Sequence, residues 1–441
     1  MNICVMGLWH LGTVISAGCA KVGHNVFGFD FDRVVIEDLS NGKAPIHEPN
    51  LDKVLGEEIV NGTLHFINDK RDIPKNIEVV WVAFDTPVDE DDVADTAYVI
   101  KKVVEVMPYI PQGTLILFSS QLPVGTVANI EMLAEKRFAS LNLHFAVTPE
   151  NLRLGNALEV FLNPDRIIVG VRNDKSKLKL EELFKPISDN VKWMSVESAE
   201  MTKHAINAFL ATSVAFANEI GSICELVGAN AREVEVGLKS ESRIGPRAYL
   251  SAGAAFAGGT LARDIDYLQS ASNDQTQTAL LSSVKESNDY HKGWVKRQLQ
   301  RNFSSLDKKN IAVWGLTYKP GTDTLRRSLA VELAEWLLTK GARVNIFDPI
   351  VVELPDGLKG KAAIYNEWEQ SLVSADVLII MTTWPLFKNC AALMFKNKYP
   401  NLVILDADNF IADILSDNGF TTLSVGSVNS QTGTSMKDFN R

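Results

Sequence analysis

A chain of 441 residues, 46% hydrophobic and 22% charged, has room for two or three domains and the make-up of a globular protein with a sizeable core. Its net charge of −10 argues against a nucleic-acid partner, because phosphate backbones are bound by clustered Lys and Arg. No uninterrupted apolar run reaches the ~18 residues of a membrane span, so no membrane partner is expected, and the opening MNICVMGL reads as a strand rather than a signal peptide.

The first strand candidate, ICVMGL, runs into a tight turn, a helix and a second strand, HNVFGFD, that ends on Asp30. This is the layout of a dinucleotide-binding glycine loop. Gly7 permits the turn and Gly12 lets the helix pack closely on the strand. Asp30, 23 residues after Gly7, offers a carboxylate to the adenosine ribose hydroxyls. Asp30 and Asp32 together would repel a 2′-phosphate, so the expected cofactor is NAD rather than NADP. Trp9 stands where the fingerprint has its second glycine. Its backbone N–H still donates to a pyrophosphate if the indole turns away; otherwise the indole fills the cleft and the cofactor is lost. The spacing of Asp30 favours retention. Leu11 and His10 complete the turn, His10 as a surface or packing residue.

Further strand candidates follow in VVWVAF, TLILFSS, HFAVTP, DRIIVGV and VKWMSV, alternating with helical patterns, as in a parallel, doubly wound sheet. From ESAEMTKHAINAFLATSVAF to YHKGWVKRQLQRN the apolar residues recur every three to four positions, giving a helical middle whose long first helix suits subunit contacts. NIAVWGL, ARVNIFDP, DVLIIMTTW, LVILDAD and TTLSVG form a second alternating set, and the tail SQTGTSMKDFNR is polar and expected to fray. The expected fold is α/β, with two Rossmann-like doubly wound parallel-sheet domains joined by a long central helix and a helical middle domain. The expected bounds are 1–196, 197–302 and 303–428, with a polar tail over 429–441. The four cysteines (Cys4, Cys19, Cys224, Cys390) lie far apart with no C-x-x-C pair, and no H-E-x-x-H pattern occurs. Buried thiols, a reduced cytoplasmic setting and no metal site follow.

In order and spacing, NGKAPIHEPNL, VAFDTPVDEDDVAD, SSQLPVGT, TPENLRLG, NPDRIIVG, AEMTKHAINAFLA, SRIG, FAGGTLARD, GLTYKPGTDTLRRS, FDP and TTWPLFK resemble the nucleotide-sugar C6 dehydrogenases, the UDP-glucose and UDP-N-acetylmannosamine dehydrogenase family. The resemblance covers nearly the whole chain. It implies an N-terminal NAD domain, a central helix forming a homodimer, a C-terminal UDP-sugar-binding domain and a place in polysaccharide biosynthesis. Members of that family oxidise a C6 alcohol twice, the second time through a cysteine thiohemiacetal, because a thiolate is both nucleophile and leaving group. In the family that cysteine lies in a G-G-S-C-F-P-K-D run. Aligned on the final Asp264, its position here is Thr260, whose hydroxyl is far less acidic than a thiol.

The resemblance also sorts the remaining site residues. Lys203 and Asn207, one helical turn apart, match the lysine and asparagine that hold a catalytic water and stabilise an oxyanion, and Asp264 matches the aspartate that assists that water. Glu150 matches the first glutamate of the P-E-F-L-R-E segment, in which Leu152, Arg153 and Leu154 also face the sugar; Leu154 replaces the second glutamate. Thr86, Pro87, Ser120 and Gln121 are placed along the cofactor, Gln121 where the family has threonine. Lys319 and Arg326 match basic residues around the sugar nucleotide, with Arg326 assigned to the cofactor side. Arg243 matches an arginine reaching a neighbouring subunit's nucleotide. Tyr249, Leu250, Gly253, Phe256 and Gly258 lie in the loop that closes on the sugar nucleotide. Asp408 stands where the family has an arginine, reversing the local charge.

Three readings stay open. The chain transfers a single hydride from a nucleotide sugar to NAD, since proton transfer by Lys203, Asn207 and Asp264 needs no thiol. Alternatively, it oxidises the sugar fully to the uronate by a non-covalent route, or it binds sugar nucleotides without catalysis. The kept Lys203–Asn207–Asp264 set beside the missing cysteine favours the first.

Overall fold

The computed structural model describes residues 1–87, 94–150, 152, 155–257, 259–271 and 278–427. The chain divides into two compact units, 1–206 and 207–441. The first is built on eight strands: β1 (Asn2–Met6), β2 (Asn25–Phe29), β3 (Leu64–Ile67), β4 (Val79–Val82), β5 (Leu115–Phe118), β6 (His144–Val147), β7 (Ile167–Val171) and β8 (Val191–Met194). They line up in the order β3-β2-β1-β4-β5-β6-β7-β8.

Side chains alternate across this sheet, as a strand's period of two requires. Ile3 and Val5 of β1 enter one core, with Val14 and Ile15 of the helix His10–Lys21, whereas Cys4 and Met6 enter the other, with Val99 and Val103. Both faces are covered, which explains near-continuous runs such as VVWV in β4. One pairing departs from the expected all-parallel sheet, because β6 and β7 run antiparallel. Among the described residues of the link between them, the six-residue helix Ala157–Leu162 is the one regular element, too short for a full crossover.

The second unit carries β9 (Asn310–Trp314), β10 (Arg343–Phe347), β11 (Ala363–Tyr365), β12 (Val377–Ile380), β13 (Val403–Asp406) and β14 (Thr422–Leu423), in the order β11-β10-β9-β12-β13-β14, every pairing parallel. Both sheets reverse their strand order beside the first strand, at β1/β4 and at β9/β12. Such a switch point opens a crevice at the carboxyl ends of the strands.

The helix Val196–Val227 spans 32 residues and by length and composition is long and apolar enough to cross a membrane, although no uninterrupted apolar run suggests it. Its polar side chains are engaged within the protein: His204 bonds the Leu122 carbonyl, Asn207 bonds Asp264, and Asn218 accepts the Gly253 N–H. We read it as a core helix.

Candidate functional site

In the first unit, Gly7 takes φ +90°, and a Cβ there would lie 2.6 Å from the Phe84 backbone nitrogen. A Cβ on Gly12 would lie 1.8 Å from the Gly7 carbonyl oxygen. Both glycines are therefore obligatory. Trp9 is different: at φ −71° and ψ −150° it occupies extended backbone open to any residue, and it is 48% exposed. It is also the N-cap of the helix His10–Lys21 and supplies no side-chain cap. The first N–H groups of that helix are thus left for another acceptor, which is how helix N-termini bind phosphate. Asp30 at the end of β2 accepts the Leu8 N–H (2.7 Å) and the Asp32 N–H (2.9 Å) and stays partly exposed.

Ser120, Gln121, Glu150, Glu200, Lys203 and His204 line one cavity of this unit. The Ser120 hydroxyl is buried without a hydrogen-bond partner among the described residues, a donor of the kind a bound ligand satisfies. Thr86 donates to the Gln121 carbonyl (2.7 Å), and the Pro87 carbonyl accepts the Asp95 N–H (2.8 Å). The Lys203 ammonium donates to the Glu150 carbonyl at 2.7 Å and lies 3.7 Å from its carboxylate, which itself accepts the Leu152 N–H at 2.5 Å. Arg153 and Leu154 lie outside the described residues, as does Gly258 in the second unit. The uncapped helix start, the glycine cradle, the strand-end carboxylate and the buried hydroxyl all fit a dinucleotide.

In the second unit the amide of Asn207 bonds the carboxylate of Asp264, and both side chains are buried. Thr260 is the first residue of the helix Thr260–Ser270, one turn before Asp264, and is exposed; Gly259 before it takes φ +105°. The loop over Gly253–Phe256 is held by side chains that no sequence motif singles out. Asn218 accepts the Gly253 N–H, His291 bonds the Gly253 carbonyl, and Asn288 bonds both the N–H and the carbonyl of Phe256. Asp408 belongs to the same set: its carboxylate accepts the Ala254 N–H at 2.7 Å, and a Cβ on Gly253 would meet it at 2.5 Å. The charge reversal at Asp408 is thus a loop anchor.

Lys319 and Arg326 lie on the segment between β9 and the helix Leu329–Thr339, at the carboxyl end of β9. Leu250 is half-buried, Tyr249 is 62% exposed, and the exposed Arg243 pairs with its neighbour Glu241 (3.0 Å). Glu48 and Glu200 are the buried acids missed in the first unit. Glu200 accepts the Gly125 and Val127 N–H groups and is pushed up from the usual carboxyl range by burial.

Two glycine-turn sheets, the first fitted to a dinucleotide, define the frame of a dinucleotide-dependent enzyme, and the comparisons name the family. The family descriptions that match are UDP-glucose/GDP-mannose dehydrogenase family, NAD binding domain (residues 1–188), central domain (197–290) and UDP binding domain (312–413). A UDP-glucose 6-dehydrogenase of Rickettsia typhi is 34% identical, over 97% of this chain and 100% of the relative. One of Bacillus subtilis is 30% identical over 93% of each. The solved UDP-glucose dehydrogenase of Pyrobaculum islandicum superposes with a TM-score of 0.83 at 27% identity, covering 93% of this chain and 95% of that one. The chain belongs to the UDP-glucose/GDP-mannose dehydrogenase family. It is an NAD-dependent oxidoreductase that acts on the CH–OH group of a nucleotide sugar.

Proposed function

We propose that the chain oxidises the C6 alcohol of a UDP-sugar, with UDP-glucose the first candidate, by a single two-electron step that stops at the aldehyde. The observation that carries this reading is the absence of an available thiol. On the family resemblance Thr260 stands at the nucleophile's position, and all four cysteines are free and buried elsewhere: Cys4 in β1, Cys19 in the first helix, Cys224 in the long helix, Cys390 in the helix Leu386–Ala392. Burial pushes the Cys4 thiol up to about 12 and Cys390 to about 11, and raises Cys19 and Cys224 as well. None of the four is a thiolate near neutral pH.

Bound NAD supplies the hydride acceptor. The chain's own part is the proton and the oxygen that loses it. The buried Asp264 carboxylate, oriented by Asn207, takes the hydroxyl proton through a held water. Lys203, its ammonium fixed by the Glu150 carbonyl, supplies the positive charge that a developing alkoxide needs. One proton and one hydride leave, and an alcohol becomes an aldehyde.

The test is the number of NADH formed per UDP-glucose consumed. One supports the proposal, two with uronate as product replaces it with full oxidation, and none across a panel of UDP-, GDP- and CDP-sugars favours a binding protein. Alkylation with iodoacetamide at pH 8 is expected to leave turnover unchanged, whereas a family-type thiolate would be blocked. Thr260→Cys is expected to add the second oxidation.

We further propose a homodimer through the long helix. Phe209, Phe216 and Ile223 are 70%, 44% and 51% exposed at seven-residue intervals, an apolar stripe of the kind helices pair by.

A further inference from the structure

Glu48 is the most deeply buried acid near the dinucleotide turn: its side chain has no exposed surface. A carboxylate taken out of water is costly unless every lone pair is matched, and the partners of Glu48 come from two segments. One oxygen accepts from His10 Nε2 at 2.8 Å and from the Gly155 N–H at 2.7 Å; the other accepts the Ala157 N–H at 3.1 Å. His10 is the first residue of the helix whose uncapped N-terminus faces the dinucleotide turn. Gly155, at φ +88°, and Ala157 end the segment that begins at Glu150, the residue that fixes Lys203. Glu48 itself lies outside both segments, on the link between the helices Arg33–Ser40 and Leu51–Asn61. Its carboxylate is thus a clasp between the cofactor turn and the start of the helix Ala157–Leu162.

We propose that His10 and Glu48 are positioning residues that couple dinucleotide binding to the backbone at Gly155 and Ala157, where the helix Ala157–Leu162 starts. Its link to the substrate rests on the reading above that Glu150, which precedes this segment, lies at the sugar. A pyrophosphate taken up by the N–H groups at the helix start fixes the backbone of His10. The imidazole then holds the Glu48 carboxylate in one place, and the carboxylate holds the Gly155 and Ala157 N–H groups. By linkage the effect is reciprocal, so the nucleotide sugar tightens NAD by the same factor that NAD tightens the nucleotide sugar.

Amide hydrogen exchange over residues 155–162, with and without saturating NAD+, tests this without turnover. NAD+ is expected to slow exchange there about tenfold in the wild type, a coupling of ordinary size. In His10→Phe, which keeps the ring and loses the donor, the protection should fall to within about twofold of none. His10→Gln, which restores an N–H donor, should recover it. Glu48→Gln breaks the clasp from the other side and serves if His10→Phe fails to fold. Equal protection in His10→Phe, or no protection in the wild type, overturns the proposal. UDP-glucose titration of Glu150→Gln keeps the two readings apart: unchanged affinity there removes the sugar assignment of Glu150, while the exchange data still decide the coupling.

Discussion

Trp9 and Gly7 sit two positions apart in one turn, and backbone geometry gives them opposite tolerances. Gly7 holds a left-handed φ with no room for a Cβ, while Trp9 holds an extended one and turns almost half its surface outward. Gly7→Ala is therefore expected to destabilise the protein by at least about 1–3 kcal/mol, the cost of a non-glycine residue in such a conformation, and to abolish NAD binding. Trp9→Ala should change stability by less than about 0.5 kcal/mol, because no backbone constraint or buried contact is lost. Thermal unfolding and an NAD titration of the two variants check both statements. The fingerprint's second glycine is a matter of ligand approach, and a tryptophan can stand there without harming the fold.

Among the structural elements, the loop Gly253–Phe256 shows what a buried polar shell does. His291 donates to the Gly253 carbonyl as a neutral ring, and burial holds its pKa below the usual 6.5. A lowered folded pKa means that the stabilisation is complete above about 6.5. It is lost as pH falls through the folded value, where the buried ring must take up a proton. Nucleotide-sugar affinity is expected to weaken on that acid side, and His291→Gln should flatten this dependence; titrations between pH 5 and 8, a window spanning the histidine range, measure it.

The strands of both sheets could be read from their apolar runs with two exceptions. LHFI in β3 and AIY in β11 are edge strands of four and three residues, half-exposed and too short to show a period. The glycine turn and Asp30 could be read because spacing along the chain dictates their geometry. Glu48, Asn218 and Asn288 could not: a carboxylate or amide looks the same in sequence whether solvated or buried among backbone N–H groups, and their partners lie 32 to 109 residues away. Asp408 was legible as a changed charge, but the N–H it accepts comes from Ala254, 154 residues earlier.

For the molecule as a whole, the long helix is the feature most exposed to test. Its buried face is satisfied within the chain, and its apolar stripe at Phe209, Phe216 and Ile223 is not. A Phe216→Glu substitution is expected to shift the wild-type dimer to monomer in sedimentation velocity, with little change in far-ultraviolet circular dichroism. If the wild type sediments as a monomer, the dimer reading fails.

The two sheets also repeat one small device. Gly7 donates to the Phe29 carbonyl beside Asp30, and Gly315 donates to the Phe347 carbonyl beside Asp348. Asp30 accepts one N–H on each oxygen. Asp348 accepts Leu316 and Thr317 on one oxygen and Ile350 and Val351 on the other, and is 5% exposed. A carboxylate has about four acceptor sites, so Asp348 has none to offer a ribose, whereas Asp30 keeps half of its own. The same turn thereby serves as a socket in one lobe and as a lock in the other. Asp30→Asn should cost NAD affinity and leave Tm near its wild-type value; Asp348→Asn should lower Tm, by about 1–3 kcal/mol of stability, and leave NAD affinity alone.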